Sequence, residues 1–248
     1  MSKIGYINSI ETFGSLDGPG IRFILFLQGC TMSCKYCHNR DSWKQKAGKE
    51  MTVDEVMTEV LKYREFFDAS SGGITVSGGE PLIQLPFLTK LFKECKKQNI
   101  HTNIDTSGGI LLTKQTIPLL DELLKYTDLI MLDVKLMDSD GHKELTGIPN
   151  DHILDIGRFI AKSGTPLWIR RVIVPKITDS EVDLKATAKY IKELNQIGSV
   201  EKVEVLPYHP MGEHKWTEDG LVYPLKNQRT PTSEEIANAE EILKAGLE

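Results

Sequence analysis

Six short apolar runs recur along the chain: Arg22 to Leu27, Gly73 to Val76, His101 to Ile104, Leu129 to Leu132, Leu167 to Val174 and Lys202 to Leu206. They are rich in Ile, Val, Leu and Phe and bounded by Gly, Pro or Asp, the pattern of strands buried on both faces of a parallel sheet. Helical patterns fill the intervals. Thr52 and Glu55 form a capping box that opens a helix reaching about Phe67. Further helices are predicted from Pro86 to about Gln98, Thr113 to Lys125, Asp151 to Ser163 and Asp179 to Ile197. A second capping box, Thr232 with Glu235, precedes a last helix to about Leu243. Strands alternating with helices define βα units and the α/β class. Six units are too few for the eight-fold barrel. The expectation is a partial (βα)6 barrel with parallel strands, with a flavodoxin-like doubly wound sheet as the alternative. No repeat, low-complexity tract or linker divides the chain, so one domain over 1–248 is expected. The segments after Lys135 and after His209 read as mobile loops.

Composition narrows the class without naming a chemistry. The chain has 248 residues, 40 % hydrophobic and 26 % charged, enough for a sizeable core. No apolar stretch approaches the roughly 20 residues of a membrane helix; the longest, Ile21 to Leu27, is interrupted by Arg22. The start, Met1 to Tyr6, has no signal-peptide core. A net charge of −5 without a long basic block argues against a nucleic-acid partner. Clustered rather than dispersed cysteines suit a reducing cytoplasm. One local exception to the acidic balance is Thr31 to Glu50, with five basic residues and two acidic. It reads either as a solvated loop or as a docking patch for an acidic electron donor.

Chemistry concentrates in Cys30, Cys34 and Cys37, three of the four cysteines within eight residues. Soft thiolates so close select iron–sulfur clusters, zinc or Cu(I). A cubane cluster normally takes four cysteines, so three would leave one iron open to another molecule. The strand ends, where parallel α/β folds gather function, supply more polar groups. They carry Cys30, then Gly78, Gly79 and Glu80, then Asp105 and Thr106, then Asp133, Val134 and Lys135, and finally His209. Each has a plainer role open to it. The glycines suit a tight turn, Glu80 a helix cap, and Lys135 a pair with Asp133. Arg170 lies inside an apolar strand, where an unpaired guanidinium is costly. Cys95 shares a helical face with Leu88, Leu91 and Phe92 and reads as core.

The C-x3-C-x2-C run followed by Gly-Gly-Glu resembles the radical S-adenosylmethionine superfamily. Flanking blocks narrow the resemblance to the branch that activates glycyl radical enzymes: Asp17-Gly18-Pro19-Gly20-Ile21-Arg22, Tyr36-Cys37-His38-Asn39-Arg40-Asp41, Ser77-Gly78-Gly79-Glu80, Met131-Leu132-Asp133-Val134-Lys135, Trp168-Ile169-Arg170 and Leu206-Pro207-Tyr208-His209. The likeness runs from about Gly5 to the His214–Trp216 region. It implies a [4Fe–4S] cluster on Cys30, Cys34 and Cys37, with S-adenosylmethionine on the open iron. Tyr36, Cys37 and His38 would line the adenine. Gly78, Gly79 and Glu80 would meet the amino group. Asp105, Asp133, Val134, Lys135 and His209 would hold the rest of the cofactor. Asp105, Thr106, Met131 and Asp133 match positions for a monovalent cation, and Asp17 and Arg170 match positions that place the partner's glycine loop. The resemblance further implies a flavodoxin-type electron donor and a protein substrate, pyruvate formate-lyase or another glycyl radical enzyme; with so large a protein partner, a monomer is expected. The rival reading is a Cys3His zinc site on Cys30, Cys34, Cys37 and His38, which leaves the strand-end residues unexplained. Arg171 departs from the family, which has an aromatic residue after Arg170. There is no inserted ferredoxin-like segment, and the tail after Gly220 matches least.

Overall fold

The computed structural model describes residues 4–248. Met1–Lys3, part of the stretch read for a signal, lie outside the described residues. The contacts group into two compact units, Met1–Thr31 with Ser42–Met131, and Met32–Asp41 with Leu132–Glu248.

In the first unit, β1 (Ile4–Gly14) pairs antiparallel with β2 (Arg22–Leu27) and with β3 (Lys49–Thr52). Parallel pairing follows, β2 with β4 (Gly73–Gly78) and β4 with β5 (His101–Thr106). Helices α1 (Val53–Leu61), α2 (Arg64–Ser70), α3 (Leu85–Lys97) and α4 (Thr116–Leu124) complete the unit. The Thr52 capping box forms: Thr52 Oγ1 accepts Glu55 N–H at 3.2 Å and the Glu55 carboxylate accepts Thr52 N–H at 2.7 Å. The single helix expected from there to Phe67 is broken after Leu61, and Arg64 starts a second one. On α3, Leu88, Leu91, Phe92 and Cys95 are fully buried, as their spacing predicts. Each large apolar side chain removed from water contributes about 1.5–3 kcal/mol.

Strand β6 (Leu129–Asp133) starts in the first unit and ends in the second. The second unit continues with α5 (Ser139–Thr146), α6 (Asp151–Ser163), β7 (Leu167–Ile173), α7 (Glu181–Ile197), β8 (Val200–Pro207), α8 (Glu213–Glu218) and α9 (Ser233–Lys244). Strands β7 and β8 run parallel, with Arg170 opposite Glu204.

The class is α/β with mostly parallel strands, as the alternation predicts. Three expectations need correction. Eight strands are described rather than six, and β1 and β3 are antiparallel to their neighbours. The segments after Lys135 and His209 are not plain loops but carry α5 and α8. Helix α5 is held by Asp138, whose carboxylate caps Gly141 N–H at 2.7 Å, and it ends on Gly147 in the left-handed region at φ 88°. No helix among the described residues is long and apolar enough to cross a membrane.

Candidate active site

The first unit places Cys30 directly after β2. Gly29 turns the chain at φ 101°, its N–H reaches Ser42 O at 2.6 Å, and Cys30 N–H reaches Trp43 O at 3.1 Å. The end of β4 packs against this turn. A methyl group on Gly79 would sit 2.1 Å from Gly29 O, and one on Gly78 2.3 Å from both Leu27 N and Leu27 O. Close backbone approach explains both glycines.

Glu80 is fully buried and accepts from four donors. Its Oε1 takes Leu82 N–H at 3.0 Å and the Thr106 hydroxyl at 2.5 Å; its Oε2 takes Ser107 N–H at 3.1 Å and Gly109 N–H at 3.0 Å. Burial pushes its carboxyl above the usual range, against the pull of these donors. Glu80 also caps the 3₁₀ turn at Pro81–Gln84. The Asp105 carboxylate accepts from Ser77 Oγ at 2.8 Å. Met131 is fully buried.

Asp17, expected to place the partner, sits in the β1–β2 connection. Its carbonyl accepts from Thr75 Oγ1 at 2.5 Å and Asn103 Nδ2 at 3.0 Å. Beneath it the fully buried Arg22 donates to Thr75 Oγ1 at 2.9 Å, Pro19 O at 3.2 Å and Ile74 O at 2.5 Å. Sequence reading missed Thr75 and Asn103. The available signal was polar residues inside buried strands.

The second unit carries Cys34 and Cys37. Their loop is tied to α5 through Ser33 N–H to Thr146 O at 2.7 Å and Lys35 N–H to Leu145 O at 2.9 Å. Helix α8 holds it from the tail, with Trp216 Nε1 donating to Cys37 O at 3.2 Å and Lys215 pairing with Asp41 at 2.8 Å. The His38 ring lies 4.3 Å from the His209 ring, and His38 Nε2 is 2.9 Å from His209 O. Burial lowers the His38 pKa. Lys135 Nζ bonds Asp133 Oδ2 at 2.5 Å and stands 5.3 Å over the Tyr36 ring. Burial alone would lower the Lys135 pKa, but the Asp133 carboxylate and the neighbouring Tyr36 and Cys34 outweigh it and hold it well above its ordinary value. Arg170 lies 3.3 Å from Glu204, and its carbonyl accepts Val134 N–H at 2.9 Å.

The expected residues thus fall into two groups. Cys30, Gly78, Gly79, Glu80, Asp105, Thr106, Met131 and Asp17 belong to the first unit. Cys34, Tyr36, Cys37, His38, Asp133, Val134, Lys135, Arg170 and His209 belong to the second. Among the described residues no group of three or more His, Cys, Asp or Glu is gathered as a metal site. The donor chemistry nonetheless suits the expected groups. Among the described residues none of the three cysteines is tied up in a disulfide. Within the second unit, the Tyr36 hydroxyl, Asp133 Oδ1 and His209 Nδ1 are buried with no hydrogen-bond partner among the described residues. Buried polar atoms of this kind call for a polar ligand.

Residues 24–188 match the family model of the radical SAM superfamily. A radical SAM methyltransferase from Sphaerobacter thermophilus shares the fold at TM-score 0.61 and 16 % identity, covering 96 % of this chain and 75 % of that one. The chain belongs to the radical SAM superfamily, and the parallel pairing within each unit agrees with the expected fold class. More specific kinship comes from sequence. Pyruvate formate-lyase-activating enzymes of Staphylococcus epidermidis and Staphylococcus aureus are each 48 % identical to it over 237 residues, 95 % of this chain and 93 % of theirs. The crystal structure of a domain of pyruvate-formate lyase-activating enzyme from Bacteroides vulgatus aligns at TM-score 0.57 and 30 % identity, covering 71 % of this chain and 94 % of that one. Within the superfamily, the chain is a member of the pyruvate formate-lyase-activating enzymes. Membership implies a [4Fe–4S] cluster and S-adenosylmethionine as cofactors.

Proposed function

We propose that this chain activates pyruvate formate-lyase by placing a radical on a glycine of that enzyme. The kinship carrying this reading is 48 % identity over 95 % of the chain with enzymes of that name. The bound cluster and S-adenosylmethionine supply the chemistry: one-electron cleavage of the cofactor to methionine, and abstraction of a glycine Cα hydrogen.

The chain's own residues bind and orient. Cys30, Cys34 and Cys37 hold the cluster. Tyr36 and His38 face the adenine, while Gly78, Gly79 and Glu80 form the amino-group side. Asp105, Asp133, Val134, Lys135 and His209 hold the remainder. Asp133 keeps Lys135 charged, which suits an anionic carboxylate. A monovalent cation is assigned to Asp105, Thr106, Met131 and Asp133. Asp17 and Arg170 place the partner's glycine. No general acid or base is required, because the protein's task is orientation and exclusion of water.

A flavodoxin-type donor delivers the electron. The exposed Lys44, Lys46 and Lys49 support its docking by charge. We assign the protein to the cytoplasm, as a monomer with one domain over 1–248. The test is anaerobic purification followed by incubation with reductant, S-adenosylmethionine and pyruvate formate-lyase. Iron and sulfide near about four per chain, and a glycyl radical by electron paramagnetic resonance, are expected. Colourless zinc protein, or a radical appearing only on a different glycyl radical enzyme, contradicts the proposal.

A further inference from the structure

Arg171 is the family departure flagged by the sequence, and the structure gives it a partner the sequence did not suggest. It is fully buried in β7. Its Nη2 donates to Asp183 Oδ2 at 2.6 Å and to Thr178 O at 2.7 Å, and its Nη1 donates to Val134 O at 3.3 Å. The other Asp183 oxygen accepts Met137 N–H at 2.9 Å and Asp138 N–H at 3.0 Å. Asn150 Nδ2 adds bonds to Leu136 O at 2.8 Å and Met137 O at 2.9 Å. Residues 134–138 lie between β6 and α5 and have no ladder of their own. Val134 O, Leu136 O, both polar groups of Met137 and Asp138 N–H are taken instead by buried side chains, three of the five by this one ion pair. The segment follows Asp133 and carries Lys135, whose Nζ meets the Asp133 carboxylate at 2.5 Å and stands over the Tyr36 ring.

We propose that the Arg171–Asp183 pair is a positioning device: it fixes residues 134–138 so that Lys135 and Asp133 stand preset to receive S-adenosylmethionine. This rests on the assignment of Asp133 and Lys135 to that cofactor. The competing role is a structural ion pair that stabilises the fold without affecting the cofactor. Removing one partner strands a buried charge, whereas replacing both by apolar residues of similar size often leaves stability unchanged or raised. The double variant R171M/D183L therefore separates the two roles. It removes both charges but leaves Met137 N–H, Asp138 N–H and Val134 O without their side-chain partners.

The test uses anaerobically reconstituted protein and three readouts: S-adenosylmethionine dissociation constant by equilibrium dialysis, thermal unfolding midpoint and iron content. A positioning role gives wild-type iron content and a cooperative unfolding transition, its midpoint lowered by the stranded backbone groups. It also gives a dissociation constant raised about tenfold, the scale seen when residues supporting a ligand-holding group are removed. In the activation assay KM for the cofactor rises, while kcat at saturation stays within about twofold. A double variant that binds S-adenosylmethionine within about twofold of wild type overturns the proposal. Asp183→Asn, which keeps the shape, reads the same quantity if the double variant does not fold. Lys135→Met is the control for the underlying assignment. Normal binding by that variant overturns the cofactor role of the loop itself, whereas weak binding by Lys135→Met with normal binding by R171M/D183L overturns only the positioning.

Discussion

Replacing Glu80 by Gln keeps the shape and exchanges one oxygen for an NH2 group. The two possible orientations differ in what they strand. With NH2 at the Oε2 position, the N–H groups of Ser107 and Gly109 both lose their acceptor. With NH2 at Oε1, the Thr106 hydroxyl can turn to accept, and only Leu82 N–H is stranded. The protein takes the second arrangement, because a stranded buried donor costs about 1–3 kcal/mol. Exchanging a buried carboxylate for an amide offsets part of this, since burial opposes the charge. A net loss of about 1–2 kcal/mol remains. For a chain of this length that lowers the unfolding midpoint by roughly 2–8 °C. Differential scanning calorimetry of wild type and Glu80→Gln, without S-adenosylmethionine or partner, measures it. An unchanged midpoint combined with lost S-adenosylmethionine binding would refute the reasoning, because the carboxylate would then serve the ligand rather than the turn.

Other consequences follow from single sites. Burial and the neighbouring Arg22 depress the His101 pKa from 6.5 to about 4, so the folded state takes up its proton at lower pH than the unfolded chain. The stability it supports is present above about pH 6.5 and is lost as pH falls toward about 4. After allowance for partial exposure this amounts to about 2 kcal/mol, and urea titrations at both ends of that range should show the loss absent in His101→Gln. Burial pushes the Cys95 thiol up to about 12, so iodoacetamide should spare it in the folded protein. Cys95→Ala should keep the iron and lose about 1 kcal/mol, whereas Cys34→Ala should lose the cluster, as iron analysis will show. Asn103→Ala removes one of two bonds to Asp17 O. It should raise KM for the protein substrate about fivefold without changing S-adenosylmethionine affinity, and an unchanged KM would remove Asp17 from partner placement.

Much of the fold was legible because its signals are local. Arg22–Leu27 and Asp151–Ser163 have the bounds that their apolar pattern predicts, and both threonine capping boxes form. Strand β1 escaped because its burial pattern is mostly half-exposed or exposed, and β3 because it has only four residues. Helix α5 is short, contains Gly141 and buries only His142, Leu145 and Thr146, too little to leave a periodic stripe. At the site, residue types were readable, as were the nearby roles of Asp133 as a pair for Lys135 and of Glu80 as a cap, but distant partners were not. Thr75, Asn103, Asn150 and Asp183 act through hydrogen bonds to residues 12 to 86 positions away in the chain. No sequence period encodes such bonds. The Gly-Gly-Glu run shows the same limit, since its residues are also tied to the neighbouring strand and to the turn after β5 by contacts that no local pattern encodes.

The most direct measurement follows the hydrogen atom. Pyruvate formate-lyase prepared with α-deuterated glycine is incubated anaerobically with this protein, reductant and S-adenosylmethionine, and the 5′-deoxyadenosine formed is weighed by mass spectrometry. The expected product carries deuterium, in step with the glycyl radical on the partner, and Cys34→Ala forms none of it. Unlabelled 5′-deoxyadenosine, or no cofactor cleavage by fully iron-loaded protein, would contradict the assignment.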